Sequence, residues 1–201
     1  MEKASRRIVA AFGVLFLIVM ALAAFLLPSE DASDFSIGLV TRADFMRGGF
    51  CLVFAGVSLH VVSGGLVALV TDYPRESPIP ARPPEATVIG AVGTGLASMY
   101  GMTGVFYATR ALEFARTVFA LASLVTAFFA FFVAFAFVRA GRAVVIAYVA
   151  IGVGLAHGAL SLLTVAFSDG STTRGLPGSL ATAAFAILVV MLGFVVAAGA
   201  D

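Results

Sequence analysis

Residues 8–27 read IVAAFGVLFLIVMALAAFLL, a run of twenty residues without one charged or hydrogen-bonding side chain. At about 1.5 Å of rise per residue, a helix of this length crosses the roughly 30 Å hydrocarbon core of a bilayer. The basic residues before it, MEKASRR, also fit a secretory signal peptide, but the apolar region of such a peptide usually has about 7–15 residues. Because this run is longer, we expect it to be the first transmembrane helix.

Five further windows of the chain are about as long and nearly as apolar: 50–70, 86–108, 118–138, 143–167 and 180–198. No Asp, Glu, Lys or Arg falls inside any of the six windows, which supports their limits independently of hydropathy. Residues 109–116, TRALEFAR, are predicted to form a separate helical turn at the membrane interface. The sequence therefore predicts an all-α, polytopic integral membrane protein, with residues 1–201 as one domain of six transmembrane helices in a compact bundle.

The composition excludes several other classes of protein. The chain is 61% hydrophobic and 11% charged, whereas an ordinary soluble domain is about a quarter charged. A net charge of +1 leaves no basic patch for a nucleic acid. The partners expected from composition are therefore the lipid bilayer and other membrane-protein subunits. The basic cluster before residue 8 gives a small excess of Lys and Arg on one side, which predicts a cytoplasmic or matrix-side N-terminus.

An internal repeat of three helices is a further hypothesis. A shift of 97 residues places His60 over His157 and Arg42 over Arg139, and each histidine then lies in the second helix of its half. A repeat with an odd number of spans inverts in the membrane, which is the pattern of many transporters. This 3+3 arrangement predicts a small channel or carrier whose cavity is lined by polar residues from both halves.

The two histidines of the chain, His60 and His157, lie near the centres of their apolar windows. A buried imidazole without a partner costs several kcal/mol, so each needs one. One interpretation is a hydrogen bond to a carbonyl or hydroxyl of a neighbouring helix; the candidate hydroxyls belong to Ser58, Ser63, Thr94, Ser98, Tyr100 and Thr103. The other is a haem b whose iron is held by both imidazoles, with Gly56 and Gly64 leaving room for the macrocycle beside His60.

The stretch GVSLHVVSGGLVALVTDYP, residues 56–74, resembles the membrane-anchor subunits of succinate dehydrogenase (respiratory complex II). In that family a haem-ligating histidine on the second helix is followed four residues later by a glycine, and an Asp-Tyr pair closes the helix. The matching residues are His60, Gly64 and the pair Asp72 and Tyr73. The resemblance implies a haem ligand at His60, a quinone site at Asp72 and Tyr73, and an energy-transducing inner or plasma membrane. It covers the first half of the chain, and it departs from the family in having six helices instead of three.

The sequence thus favours a non-catalytic membrane subunit that anchors or scaffolds a larger complex, with a haem- and quinone-binding respiratory anchor as its most specific version. Charged residues are missing from the spans, so an ion-coupled pump has no relay groups. Two alternatives stay open: the small channel or carrier, and an intramembrane enzyme built on a dyad of Ser63 and His157.

Overall fold

The computed structural model describes residues 3–26, 42–72, 84–167 and 176–199. They form six α-helices, which are α1 (Lys3–Leu26), α2 (Arg42–Asp72), α3 (Pro84–Ala108), α4 (Leu112–Ala140), α5 (Val144–Phe167) and α6 (Leu176–Ala198). All six are long and apolar enough to cross a membrane, and no strand occurs among the described residues. The prediction of an all-α, multi-pass membrane bundle is confirmed.

Five of the six helices begin earlier in the chain than the hydropathy predicts, and the differences are largest for α2 and α4. α2 begins at Arg42 instead of residue 50, and α4 begins at Leu112 instead of residue 118. The separate interfacial turn predicted for residues 109–116 is wrong, because residues 112–116 are the first turn of α4 itself. Only a tight turn precedes it, with Arg110 at a φ of 63° and the Ala111 amide donating to the Phe106 carbonyl at 2.8 Å.

The six helices form a ring in chain order. Each helix packs against the next, and α6 returns to pack against α1; the interface between α5 and α6 is the smallest of these. Both termini of the described chain lie at one end of the bundle, where the Arg6 guanidinium lies against Gly199. At the same end, the buried Glu85 carboxylate at the start of α3 accepts a hydrogen bond from Arg139 at the end of α4.

Aromatic rings fill the centre of the ring of helices. Phe16 of α1 meets both Tyr100 of α3 and Phe185 of α6 edge-to-face, with ring centroids 5.7 Å apart in each pair. Phe129 of α4 meets the same Phe185 ring at 6.4 Å. Phe16, Phe129 and Phe185 are completely buried and Tyr100 almost so. Such pairs add about 0.5–1.5 kcal/mol each beyond the area that they bury, so this cluster ties four helices together.

α2 and α3 approach each other until their backbones touch, which requires glycine at the crossing. A Cβ atom on Gly49 would collide with the backbone of Gly104 and Ala108, and one on Gly104 would collide with the backbone of Gly49 and Val53. Two turns along α2, a Cβ on Gly56 would overlap the backbone of α3 at Ala97. In a bilayer, close approach of this kind is a principal source of helix association, because lipid offers no hydrophobic driving force.

Candidate functional site

A groove with polar side chains in its lining lies between α2 and α3 on the outer surface of the bundle. Its volume is about 370 Å³. Its lining residues are His60, Ser63, Gly64 and Val67 from α2 and Thr87, Gly90, Ala91 and Thr94 from α3. Both sets follow the spacing i, i+3, i+4, i+7, so each helix contributes one continuous face about 10 Å long.

The groove runs from the middle of the membrane towards one of its surfaces. His60 and Thr94 lie near the midpoints of their helices, whereas Thr87 is only three residues from the first residue of α3. The two helices are antiparallel neighbours, so the face that ends at Val67 on α2 lies beside the face that begins at Thr87 on α3. The mid-membrane end of the groove is therefore bordered by an imidazole and a hydroxyl.

His60 is exposed on this outer surface. Its imidazole lines the open groove and is not enclosed by the helices of its own chain. The space beside Gly64 is also open, since a Cβ atom built there would meet nothing within 4 Å. Gly56 has a different role from the one predicted: its α-carbon faces the backbone of α3, so its missing side chain serves helix packing and gives no room for a cofactor.

Ser63 forms the inner wall of the groove. It is 2% exposed, and its hydroxyl has no hydrogen-bond partner among the described residues. The other four buried serine and threonine hydroxyls of the described chain each donate to the carbonyl four residues earlier; they belong to Ser58, Thr103, Ser123 and Thr126. The Ser63 side chain packs instead against Gly93, where a Cβ atom would overlap it. An unpaired buried hydroxyl costs about 1–3 kcal/mol, so this one is an exception to be explained.

His157 lies in a different environment, inside the bundle. It is 3% exposed, and its Nε2 is 3.1 Å from the carbonyl oxygen of Ala181 on α6. Because a carbonyl only accepts, this bond requires a proton on Nε2, and Nδ1 then carries the lone pair of the neutral ring. Nδ1 is buried without a partner among the described residues, and the ring meets Phe185 edge-on at 6.0 Å. The expected hydrogen bond to a neighbouring helix is confirmed for His157, with a backbone carbonyl as its acceptor.

The two histidines are not brought together. His60 lines the outer groove, whose lining residues do not include His157, and His157 is enclosed between α5 and α6. This arrangement does not fit a haem held between the two imidazoles of a single chain. Of the two imidazoles, that of His60 is the one that lies on the outer surface of the bundle.

Other predicted site residues are placed as follows. Asp72 is the last residue of α2 and is exposed. Tyr73, its proposed partner in a quinone site, lies outside the described residues. Ser63 and His157 form no dyad, since the Ser63 hydroxyl has no partner and the His157 ring bonds to Ala181. No group of three or more His, Cys, Asp and Glu side chains able to hold a metal ion occurs in the described part of the chain.

The inverted repeat stays a prediction. The two equivalent histidines differ in exposure, and the groove draws all its residues from α2 and α3 in the first half of the chain. The interface between α2 and α3 is also far more extensive than that between α5 and α6. A carrier cavity shared by the two halves therefore has no support from the groove.

Sequence reasoning missed the contribution of α3 to the groove. The signal was present, because Thr87, Gly90, Ala91 and Thr94 repeat the spacing of the face around His60.

Comparison of the chain with protein-family models, with curated proteins and with solved structures finds no match.

Proposed function

We propose that this chain is a non-catalytic integral membrane subunit that anchors or scaffolds a larger membrane complex. The observation that carries the proposal is the outward-facing imidazole of His60 in the middle of α2. A polar group facing hydrocarbon at mid-membrane is costly, and polar side chains there almost always face a protein or water-filled interior. A second polypeptide that covers the His60 end of the groove removes this cost by accepting or donating a hydrogen bond.

The distribution of charge supports a structural rather than a transport role. Every described Asp, Glu, Lys and Arg lies in the terminal turns of a helix or in a connecting turn. The centre of the bundle holds the aromatic cluster of Phe16, Tyr100, Phe129 and Phe185 in place of carboxylate, lysine or arginine relay groups, and the imidazole beside it, that of His157, is bonded to the Ala181 carbonyl. Ion-coupled transport needs such groups within the membrane.

The most specific version of this proposal is a respiratory anchor in an energy-transducing membrane. In this version His60 is one axial ligand of a haem b, and a partner subunit supplies the second ligand because His157 is engaged inside the bundle. The bound haem would carry electrons, and its potential would follow from its axial ligands. Asp72 and Tyr73 would border a quinone at the membrane surface.

The test is purification of the complex from native membranes in a mild detergent, for the wild-type chain and for His60→Ala. The matched control is Val57→Ala, an exposed position one turn away on the same helix. We expect a second polypeptide to co-purify with the wild type and Val57→Ala but not with His60→Ala. If the wild type, Val57→Ala and His60→Ala are all recovered without a second polypeptide, the scaffold function is refuted.

A visible absorption spectrum of the same preparations tests the haem version separately. A Soret band that is present in the wild type and lost in His60→Ala would support a haem on His60. A colourless complex with intact subunits would remove the haem and leave the scaffold function standing.

A further inference from the structure

We propose that the groove between α2 and α3 binds a neutral, membrane-dissolved molecule that carries a carbonyl or hydroxyl oxygen. This inference goes beyond the scaffold function and does not depend on it, because the groove is formed by this chain alone. It rests on the size of the groove, the unpaired hydroxyl in its wall, the absence of charge from its lining and its depth in the membrane.

The dimensions of the groove fit a small ligand. A volume of about 370 Å³ lies within the range of roughly 300–1,000 Å³ that is usual for small-molecule sites. Gly64 and Gly90 keep the groove open, because both line it and neither has a side chain to fill it. A Cβ atom on Gly64 would enter open space, and one on Gly90 would lie 3.1 Å from the Val67 side chain. The groove is about 10 Å long, which suits a ring or a short branched segment lying along the helices.

The Ser63 hydroxyl supplies the specific contact. Serine within a helix normally donates to the carbonyl four residues earlier, as Ser58 does to Phe54 at 2.8 Å. Ser63 makes no such bond, although it is more than nine-tenths buried and lines the groove. As placed, the Ser63 oxygen lies against Gly93 and has almost no accessible surface. Rotation about the Cα–Cβ bond would turn the hydroxyl towards the groove, where an oxygen atom of a ligand would accept its hydrogen bond.

The remaining lining selects for a neutral ligand. The other hydrogen-bonding side chains are His60, Thr87 and Thr94, and the rest of the surface is Gly64, Val67, Gly90 and Ala91. No carboxylate, ammonium or guanidinium group lines the groove, so a charged ligand would be desolvated without a counter-charge. Hydroxyl and imidazole groups can pair with a ketone, an ester or an alcohol by ordinary hydrogen bonds.

The depth of the groove determines how a ligand reaches it. His60 and Ser63 lie near the middle of α2, and the groove opens sideways on the outer surface of the bundle. A charged phospholipid headgroup is confined to the membrane surface, about 15 Å from the midplane. The ligand is therefore a lipophilic molecule that diffuses within the bilayer and enters laterally.

The experiment uses the purified full-length chain in lipid nanodiscs, with benzophenone as a photoreactive ketone probe. We expect the crosslinks to map to residues 60–67 and 87–94. Fluorenone, which has a carbonyl, should compete with the probe, whereas fluorene, which has the same ring system without the oxygen, should not.

Two pairs of variants test the contacts. Ser63→Ala should weaken labelling about three- to tenfold, the effect of one net hydrogen bond, while Ser58→Ala should leave it unchanged. Gly64→Leu should abolish labelling by filling the groove, whereas Gly95→Leu, on the exposed surface of α3, should not. Gly95 and Gly64 both have open space beside them, so neither substitution is expected to disturb folding.

The inference is wrong if crosslinks spread evenly over the lipid-facing surface, or if Ser63→Ala and Ser58→Ala label alike. It is also wrong if Ser63→Ala leaves labelling unchanged but lowers recovery of a co-purified subunit, since the groove would then hold a partner helix. Loss of the co-purified subunit in His60→Ala, with benzophenone labelling at the groove intact, would leave both proposals standing.

Discussion

The backbone contact between α2 and α3 allows a sharp prediction of stability. Gly49→Ala places a Cβ atom 2.8 Å from the Ala108 amide nitrogen and closer still to the Gly104 carbonyl oxygen. Non-bonded heavy atoms prefer about 3.5–4.0 Å, so the helices must separate by about 1 Å. Both obstructing atoms belong to the backbone and cannot rotate away. We therefore expect the upper end of the usual overpacking cost, about 3 kcal/mol.

An opposing effect reduces the net change. Alanine favours a helix over glycine by about 1 kcal/mol, which leaves a net destabilisation of about 2 kcal/mol for Gly49→Ala. For a chain of this size that corresponds to a fall in Tm of about 4–8 °C. The control is Gly95→Ala, where a Cβ atom meets nothing within 4 Å, so its stability should stay level or rise slightly.

Thermal unfolding in detergent, followed by far-UV circular dichroism, measures both variants; the chain has no Trp for intrinsic fluorescence. A double-mutant cycle strengthens the test. Gly104→Ala disturbs the same contact between α2 and α3, so it should destabilise the protein only slightly once Gly49→Ala has already separated the two helices. A Tm for Gly49→Ala equal to or above that of the wild type would refute the backbone contact.

Three further predictions use the same unfolding assay. Ser63→Ala removes an unpaired buried hydroxyl and should raise the free energy of unfolding by about 1 kcal/mol, whereas Ser58→Ala should not raise it; an unstable Ser63→Ala would show that this hydroxyl is satisfied within the chain. His157→Ala loses both the bond between α5 and α6 and a buried ring, so it should cost about 2 kcal/mol or more, and an unchanged Tm would contradict its placement. Arg139→Gln leaves the buried Glu85 carboxylate without its partner, whereas Glu85→Gln leaves only the exposed Arg139 guanidinium without one. Arg139→Gln should therefore lower the free energy of unfolding by about 1–2 kcal/mol, and by more than Glu85→Gln does; equal losses would contradict the difference in burial.

The sequence was sufficient for the number and type of helices, because a bilayer requires long apolar runs and excludes charge from them. It was less accurate for the helix ends. Arg42, Asp44 and Arg47 are polar enough to end a hydropathy window, but they continue the helical hydrogen bonding of α2 outside the hydrocarbon. In the same way, Glu113 and Arg116 belong to the first turns of α4.

The direction in which each histidine faces could not be predicted from the sequence. In a soluble helix the polar face marks solvent, but in a bilayer both the lipid-facing and the protein-facing sides are apolar. His60 and His157 have similar neighbours in the sequence, yet one is exposed and the other buried. Glycines are equally ambiguous: Gly56 packs against a backbone, whereas Gly64 meets open space.

The most direct test of the scaffold proposal is a photo-crosslinker placed at position 57, next to His60 on the outer surface of α2, and activated in native membranes. The proposal predicts a covalent adduct with a second, different polypeptide, and loss of that adduct when His60→Ala is added. Adducts with lipid alone, or only with other copies of this chain, would contradict it.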